Sequence, residues 1–290
     1  MTTLLAVPNV SEGRDHAVLE RIERRLGPAR FLDLHVDPDH NRSVFTVAGG
    51  QGEIAPTLAA CAEAALENID LTSHEGLHPY VGALDVAPVV YLGDADRGAA
   101  CAEALTAAAL IGDAGLPVFL YGRLATRPEH AERADLRRGG PAGLAERMAA
   151  GELVPDHGPH EPHPTAGAVL VTARPPLIAF NVDLATDDVE LAKEIAASIR
   201  ESGGGLPGVR AIGLYLADRG CAQVSTNVHD HRAVPLAEIV ARVRERAEVA
   251  EAELVGLAPR AAFEGFPEDV PLRGFTPERH LIEEALKTVV

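Results

Sequence analysis

Twice along the chain the apolar residues change period in the same order, and this double schedule restricts the fold more than any single motif. Residues 3–7 (TLLAV) are an apolar run of strand length, leading into the loop string VPNVSEGR. Residues 14–26 set Val18, Leu19, Ile22 and Leu26 at helical spacing. Residues 31–36 and 43–48 predict strands joined by the turn-rich DPDHNR. An Ala-rich helix is expected over 52–68 and a strand over 84–92 (LDVAPVVYL). Pro88 has no N–H to donate, so that strand is expected at a sheet edge or a bulge. A helix over 96–115, a strand over 117–121 and a charged, helical surface segment over 126–151 follow. Residues 154–167 (VPDHGPHEPHPTAG) are too rich in proline for a helix or a central strand and predict a fixed loop.

After residue 175 the order restarts. Residues 177–183 (LIAFNVD) predict a strand, and Thr186 an N-cap. Asp187 and Asp188 would then sit in the first turn of a helix, favourable to its dipole. That helix is expected to reach Arg200 and stop at the glycines 203–205. Residues 209–217 and 221–228 predict a hairpin about Asp218, Arg219 and Gly220. A helix over 235–250 has Leu236, Ile239, Val240, Val243 and Ala247 on one face, and a strand over 253–257 closes the unit. Both halves read βαββαβ, the split order of ferredoxin-like folds. The expected fold class is α/β (α+β). Two subdomains, residues 1–175 and 176–290, would each be built on a βαββαβ ferredoxin-like unit with helices packed on mixed sheets. A cleft between them would suit a small ligand.

Hydrophobic residues make up 47% of the chain, enough for a sizeable core, but aromatics are 4% and Trp is absent. Val, Leu, Ile and Ala must therefore fill that core. A net charge of −17 argues against nucleic acid and against an anionic membrane surface as partners. A small anionic substrate is still compatible, because a few buried arginines can set the potential of a cleft. Lysine occurs only at Lys193 and Lys287, so arginine, which grips carboxylates bidentately, supplies nearly all positive charge. Cys61, Cys101 and Cys221 are too scattered for a disulfide framework or a metal knuckle. The first residues lack the basic start and apolar run of a leader, and no stretch has the length of a membrane span, so a cytoplasmic location is expected.

His74, Glu75 and His78 match the zinc-hydrolase pattern H-E-x-x-H, which requires a helix so that both imidazoles share a face. Gly76 weakens such a helix, and Pro79 disfavours the α region for His78. The competing reading is a rigid loop in which Pro79 holds His78 at the entrance of strand 84–92, placed for proton transfer near neutral pH. His157, His160, Glu161 and His163 form a second polar cluster whose prolines leave its geometry open. His229, Asp230 and His231 read as turn polarity before a helix. Asp37, Asp39, Asn41 and Arg42 occupy the first hairpin; Asp and Asn suit the turn itself, and Arg42 could reach an anion. No Walker loop, no GxGxxG after a strand and no GxSxG elbow occurs.

Several strings together resemble the formiminotransferase family. In chain order they are VPNVSEGR, NRSVFTVAG (41–49), HEGLHPYVGALDVAP (74–88), PVFLYG (117–122), PDHGP (155–159), GAVLVTAR (167–174), LIAFNVDL (177–184) and AQVSTN (222–227). The resemblance implies an enzyme that moves a formimino group from N-formimino-L-glutamate to N5 of tetrahydrofolate, with folate as co-substrate and no metal. It implies a folate-binding cleft between two subdomains, in a homodimer. The family's catalytic His lies in an H-P-R string, which puts the acid–base role on His78. Its folate loop maps onto Gly158, Pro159, His160, Glu161, Pro162, His163, Pro164, Thr165, Ala166 and Gly167. Asp37, Asn41, Arg42 and Tyr80 are candidate substrate contacts. Two positions depart from the pattern. Tyr80 stands where relatives carry Arg, and Ala166 where some carry an aromatic residue before the closing Gly. The first departure predicts a weaker hold on the donor's carboxylate, or another donor such as 5-formyltetrahydrofolate.

Overall fold

The computed structural model describes residues 2–76 and 79–287. The chain divides into two compact units, Met1–Pro175 and Pro176–Val290.

In the first unit an interrupted strand, β1 (Leu4–Ala6) and β2 (Asn9–Val10), is followed by α1 (His16–Glu23). Asp15 caps α1, its carboxylate accepting from the Ala17 and Val18 amides. Then come β3 (Arg30–Asp37), β4 (Arg42–Gly49), α2 (Ile54–Asn68), β5 (Leu84–Tyr91) and α3 (Arg97–Asp113). The unit continues with β6 (Val118–Leu120), α4 (Arg133–Leu136), α5 (Gly140–Ala149) and β7 (Val169–Arg174). The strands form one sheet in which β3 pairs β4, β4 pairs the β1–β2 strand, that strand pairs β5, and β7 and β6 extend the sheet in parallel. The βαββαβ order is thus realised on β1–β5 and then enlarged.

One face of this sheet packs on α1, α2 and α3. Leu4, Phe45, Val47, Ala87 and Val89 meet Ile22, Leu58, Ala62, Ala104 and Ile111 there, all effectively dry. Each large apolar side chain so buried stabilises the fold by about 1.5–3 kcal/mol. Strand alternation sends Val86 and Leu170 to the opposite face, where they meet Phe119, Leu136, Leu144 and Met148. Residues 126–151 are therefore no surface appendage. Leu136, Leu144 and Met148 give them an apolar stripe that covers part of the second face.

Pro88 does not sit at an edge. It lies in β5 between the β1–β2 strand and β7, opposite Thr172. The Val7 amide donates to the Pro88 carbonyl at 3.1 Å. The reciprocal bond cannot form, and the Asn9 side-chain amide donates to the Val7 carbonyl instead, at 2.8 Å. Asn9 thus replaces the donor that proline lacks. Asn9→Ala is expected to cost about 1–3 kcal/mol in urea unfolding, the usual cost of an unsatisfied buried carbonyl. Adding Pro88→Ala, which restores a backbone donor, should recover part of that loss. Absence of recovery would mean that Asn9 acts elsewhere.

The second unit contains β8 (Ile178–Leu184), α6 (Val189–Ile199), β9 (Val209–Leu216), β10 (Cys221–Val228), α7 (Leu236–Arg244) and β11 (Val249–Val255), then the short helices α8 (Pro277–His280) and α9 (Ile282–Ala285). Its antiparallel sheet runs β11-β8-β10-β9. Phe180 and Val182 pack on Ile195, Ile199, Ile239 and Val243. The cap of α6 is Asp188, whose carboxylate accepts from the Leu191 amide at 3.0 Å, rather than Thr186. The longer acidic side chain reaches the third amide, while Thr186 holds the Asp188 amide. The expected helix over 235–250 stops at Arg244, and β11 begins at Val249 because the sheet edge recruits Val249 opposite Leu184. Among the described residues no helix is long and apolar enough to cross a membrane.

Candidate active site

His78 and its neighbour Leu77 lie outside the described residues. On one side of them, His74 caps a single 3-10 turn (Leu71–Ser73) in extended backbone, and neither Glu75 nor Gly76 is helical. The helix that a zinc-hydrolase reading of HEGLH requires is not formed over 74–76. Gly76 instead allows a close crossing of chains: a Cβ there would fall 2.5 Å from the His40 carbonyl oxygen.

Asn41 ties this segment to the first hairpin. It adopts φ 47°, a region that Asn tolerates better than most residues. Its carboxamide accepts from the Gly13 amide at 2.9 Å and donates to the Glu75 carbonyl at 3.0 Å, with His74 Nδ1 at 3.3 Å. Burial pushes the His74 imidazole below its usual value, aided by Arg14 and opposed by Glu12 and Asp85. Tyr80 packs its ring edge-on against His74, with centroids 4.4 Å apart, and its hydroxyl reaches the His74 carbonyl at 3.4 Å. Asp37 turns inward on the hairpin itself, its carboxylate holding His40 Nδ1 at 2.7 Å and the His40 amide at 2.9 Å. Burial alone would raise the Asp37 carboxyl, but the bond to His40 and its charge outweigh this and hold it below the usual carboxylate range. Asp37 and Asn41 are thus committed to shaping the turn.

The loop 158–167 is built against the same segment. Leu71 donates to the Thr165 carbonyl at 2.8 Å, Ala83 to the Ala166 carbonyl at 2.9 Å, and Ala168 to the Val81 carbonyl at 3.0 Å. Both flanks of His78 are therefore bonded to the end of the loop. His163 and Gly167 exchange backbone bonds at 2.9 and 2.8 Å, and His163 Nδ1 accepts from the Ala166 amide at 3.2 Å, closing the turn. Gly167 has φ 66°, and a Cβ there would lie 2.0 Å from the Val81 carbonyl oxygen, so only glycine fits. Gly158, Pro159, His160, Glu161 and Pro164 remain exposed, whereas Pro162, His163 and Thr165 are half-buried. Ala166 points into the core beneath the sheet at 1% exposure, so this departure does not line an open pocket. His157 lies apart from His163, its carbonyl accepting from Val118. His229, Asp230 and His231 form the expected turn, in which the Asp230 carboxylate accepts from the Arg232 amide at 3.0 Å.

The sheet face opposite α1–α3 carries two charges that sequence reasoning missed, Asp85 and Arg137, beside Arg42, which it singled out. The register of β2 against β5 shifts between Asn9↔Val86 and Val10↔Leu84, which makes Asp85 an extra, bulged residue. A bulge re-aims its side chain, and Asp85 turns to the second face. Its carboxylate accepts from the Val81 amide at 2.9 Å and pairs with Arg137. Asp85 is 2% exposed and Arg137 8%. A lone acid inside LDVAPVVYL was the available signal for it. Arg42, at the first position of β4, donates to the Asn9 carboxamide oxygen. Burial, with repulsion from Arg137 and Arg133, brings the Arg42 guanidinium down to about 9 against the pull of Asp85 and Asp37.

Residues 3–174 match the model of the formiminotransferase domain, N-terminal subdomain, and residues 179–265 match that of the formiminotransferase domain. The chain is 38% identical over 265 residues to glutamate formimidoyltransferase of Streptococcus pyogenes serotype M1, covering 88% of this chain and 89% of that protein. It is 35% identical over 273 residues to the protein of the same name from Thermoplasma acidophilum, covering 90% of each. Against the formimidoyltransferase-cyclodeaminase of Mus musculus the identity is 34% over 275 residues, which is 88% of this chain and 50% of that longer protein. With both models matched in order and these identities sustained across both units, the chain belongs to the formiminotransferase family.

Proposed function

We propose that this enzyme transfers the formimino group of N-formimino-L-glutamate to N5 of tetrahydrofolate, with His78 as general acid and base and loop 158–167 holding the folate. In the reaction N5 attacks the amidine carbon and a new C–N bond forms. N5 loses its proton, the bond from that carbon to the glutamate nitrogen breaks, and the nitrogen departs with a proton. A single imidazole that takes the first proton and returns it to the leaving nitrogen balances the step. Such catalysis contributes about 10²- to 10⁴-fold, and holding both substrates in register contributes more.

The observation that carries this reading is the bonding of both flanks of His78 to the loop end, through Leu71, Val81 and Ala83. A folate on that loop would be presented to the segment bearing the acid–base residue. The names of the Streptococcus and Thermoplasma relatives point to the same reaction.

A turnover assay with tetrahydrofolate and a panel of donors, run with and without a strong chelator, tests it. Formiminoglutamate should be the best donor, and chelation should leave its rate within about twofold. Faster turnover of 5-formyltetrahydrofolate would replace the donor. Loss of all turnover on chelation, restored by zinc, would replace the mechanism.

A further inference from the structure

β6 is the last strand of the first sheet, so one of its sides offers N–H and C=O groups that no neighbouring strand takes. The residues that lead into the loop 158–167 take them instead. Val118 donates to the His157 carbonyl at 2.9 Å, and the Asp156 amide donates to the Val118 carbonyl at 2.8 Å. At Leu120 a side chain replaces backbone: the Asp156 carboxylate accepts from the Leu120 amide through Oδ2 at 2.8 Å. Its other oxygen accepts from the Thr126 hydroxyl. His130 Nδ1 lies 3.3 Å from Oδ2. That imidazole is fully buried and packs edge-on against Phe119 of β6, with centroids 5.2 Å apart. The Asp156 side chain is itself 8% exposed, and hydrogen bonds made largely out of water are stronger.

Two glycines lay the next residues against the same edge. A Cβ on Gly112, in the last turn of α3, would fall 2.8 Å from the Gly158 nitrogen. One on Gly158, at φ 80°, would fall 2.2 Å from the Leu116 carbonyl oxygen. The loop is therefore clamped at both ends, at 156–158 on β6 and α3 and at 163–167 on the flanks of His78. Between the clamps Pro159, His160 and Glu161 are exposed. The trailing clamp is mostly backbone to backbone, whereas the leading one includes a carboxylate that a single substitution removes.

We propose that Asp156 is the positioning residue of this loop. With Thr126 and His130 beside it, it sets where residues 159–161 stand and hence how tightly the loop holds folate. The link to folate rests on the function proposed above; the anchor itself rests on the bonds of Asp156. Without the carboxylate, the Leu120 amide loses its acceptor and the leading end is released from the segment 122–131.

The test combines amide exchange, tetrahydrofolate titration and steady-state kinetics on the full chain and on Asp156→Ala, Asp156→Asn and Thr126→Val. Thermal melting of each variant confirms folding. In the ligand-free protein, Asp156→Ala should speed exchange at Val118, Leu120 and His157 by about tenfold or more, with Ala83 and Gly167 within about twofold. Its tetrahydrofolate Kd and KM should rise by about tenfold or more, with the donor KM and kcat within about threefold. A merely structural loss would not separate the two KM values. Asp156→Asn keeps one acceptor oxygen, so its folate shift should be smaller, and it carries the test if the Ala variant fails to fold. Thr126→Val should raise the folate KM by about threefold alone and add nothing to Asp156→Ala, because both remove the same bond. Unchanged exchange at Leu120 with unchanged folate affinity in a folded Asp156 variant would overturn the anchor. So would an equal rise in both KM values, or additive effects of the Thr126 and Asp156 substitutions. Faster exchange at Leu120 and His157, in a protein whose parent binds no tetrahydrofolate, would uphold the anchor and sink the folate reading. Folate binding by the parent that Asp156→Ala leaves intact would do the reverse.

Discussion

His78→Ala is expected to lower turnover by about 10²- to 10⁴-fold while tetrahydrofolate affinity stays within about tenfold of the parent. The two readouts separate because the proposed roles fall on different backbone. Proton transfer is assigned to His78, and folate binding to the loop 158–167. That loop is held by its own bonds, with His163 and Gly167 paired and Thr165 and Ala166 bonded to Leu71 and Ala83. Those bonds are backbone to backbone. Steady-state kinetics and a folate titration on the same preparation provide the check. Wild-type turnover in the variant would reduce His78 to a loop residue. Folate binding lost together with turnover would instead mean that the imidazole organises the pocket.

Asp85→Ala should be among the most destabilising single changes in the first unit, costing about 3–5 kcal/mol in urea unfolding at neutral pH. The carboxylate is 2% exposed and is the salt-bridge partner of Arg137. Removing it leaves a buried guanidinium that Arg133 repels and that in turn repels Arg42, with no carboxylate bonded to it. It also orphans the Val81 amide, which donates to the same carboxylate at 2.9 Å. Asp85→Asn keeps the shape and an acceptor for Val81 but loses the charge, so its cost should be intermediate. A loss below about 1 kcal/mol would show that the pair is not needed to hold the cluster.

The predicted elements formed whether their own period is strong, as in α1 and α7, or weak, as in α3, and what moved were their ends. Residues 14–26 and 235–250 carry apolar positions at helical spacing, and each produced a helix somewhat shorter than the pattern, at His16–Glu23 and Leu236–Arg244. The ends moved because capping and pairing decide them. Glu245 closes α7, and Val249 is taken into β11 by the facing strand β8. Residues 126–151 misled for a related reason. Their charged residues dominate by number, while the few apolar ones that matter, Leu136, Leu144 and Met148, bury against strands more than ten residues away in the chain. Of the two expectations drawn from Pro88, the edge failed and the bulge was met, at Asp85; the missing donor of Pro88 itself is replaced by a side chain from β2, a compensation invisible from the strand's own sequence.

By itself the sequence determined the doubled βαββαβ order, the family, the position of the loop 158–167 and the interest of Arg42. All of these are written in local period or in contiguous strings. The tertiary structure alone decided which charges meet. Arg42, Asp85 and Arg137 are 95 positions apart from first to last. Their convergence depends on a one-residue bulge in β5 and on which face alternation gives each strand. Coulomb interactions act through space and depend on burial. A chain can therefore show where its strands run long before it shows which of its charges will meet.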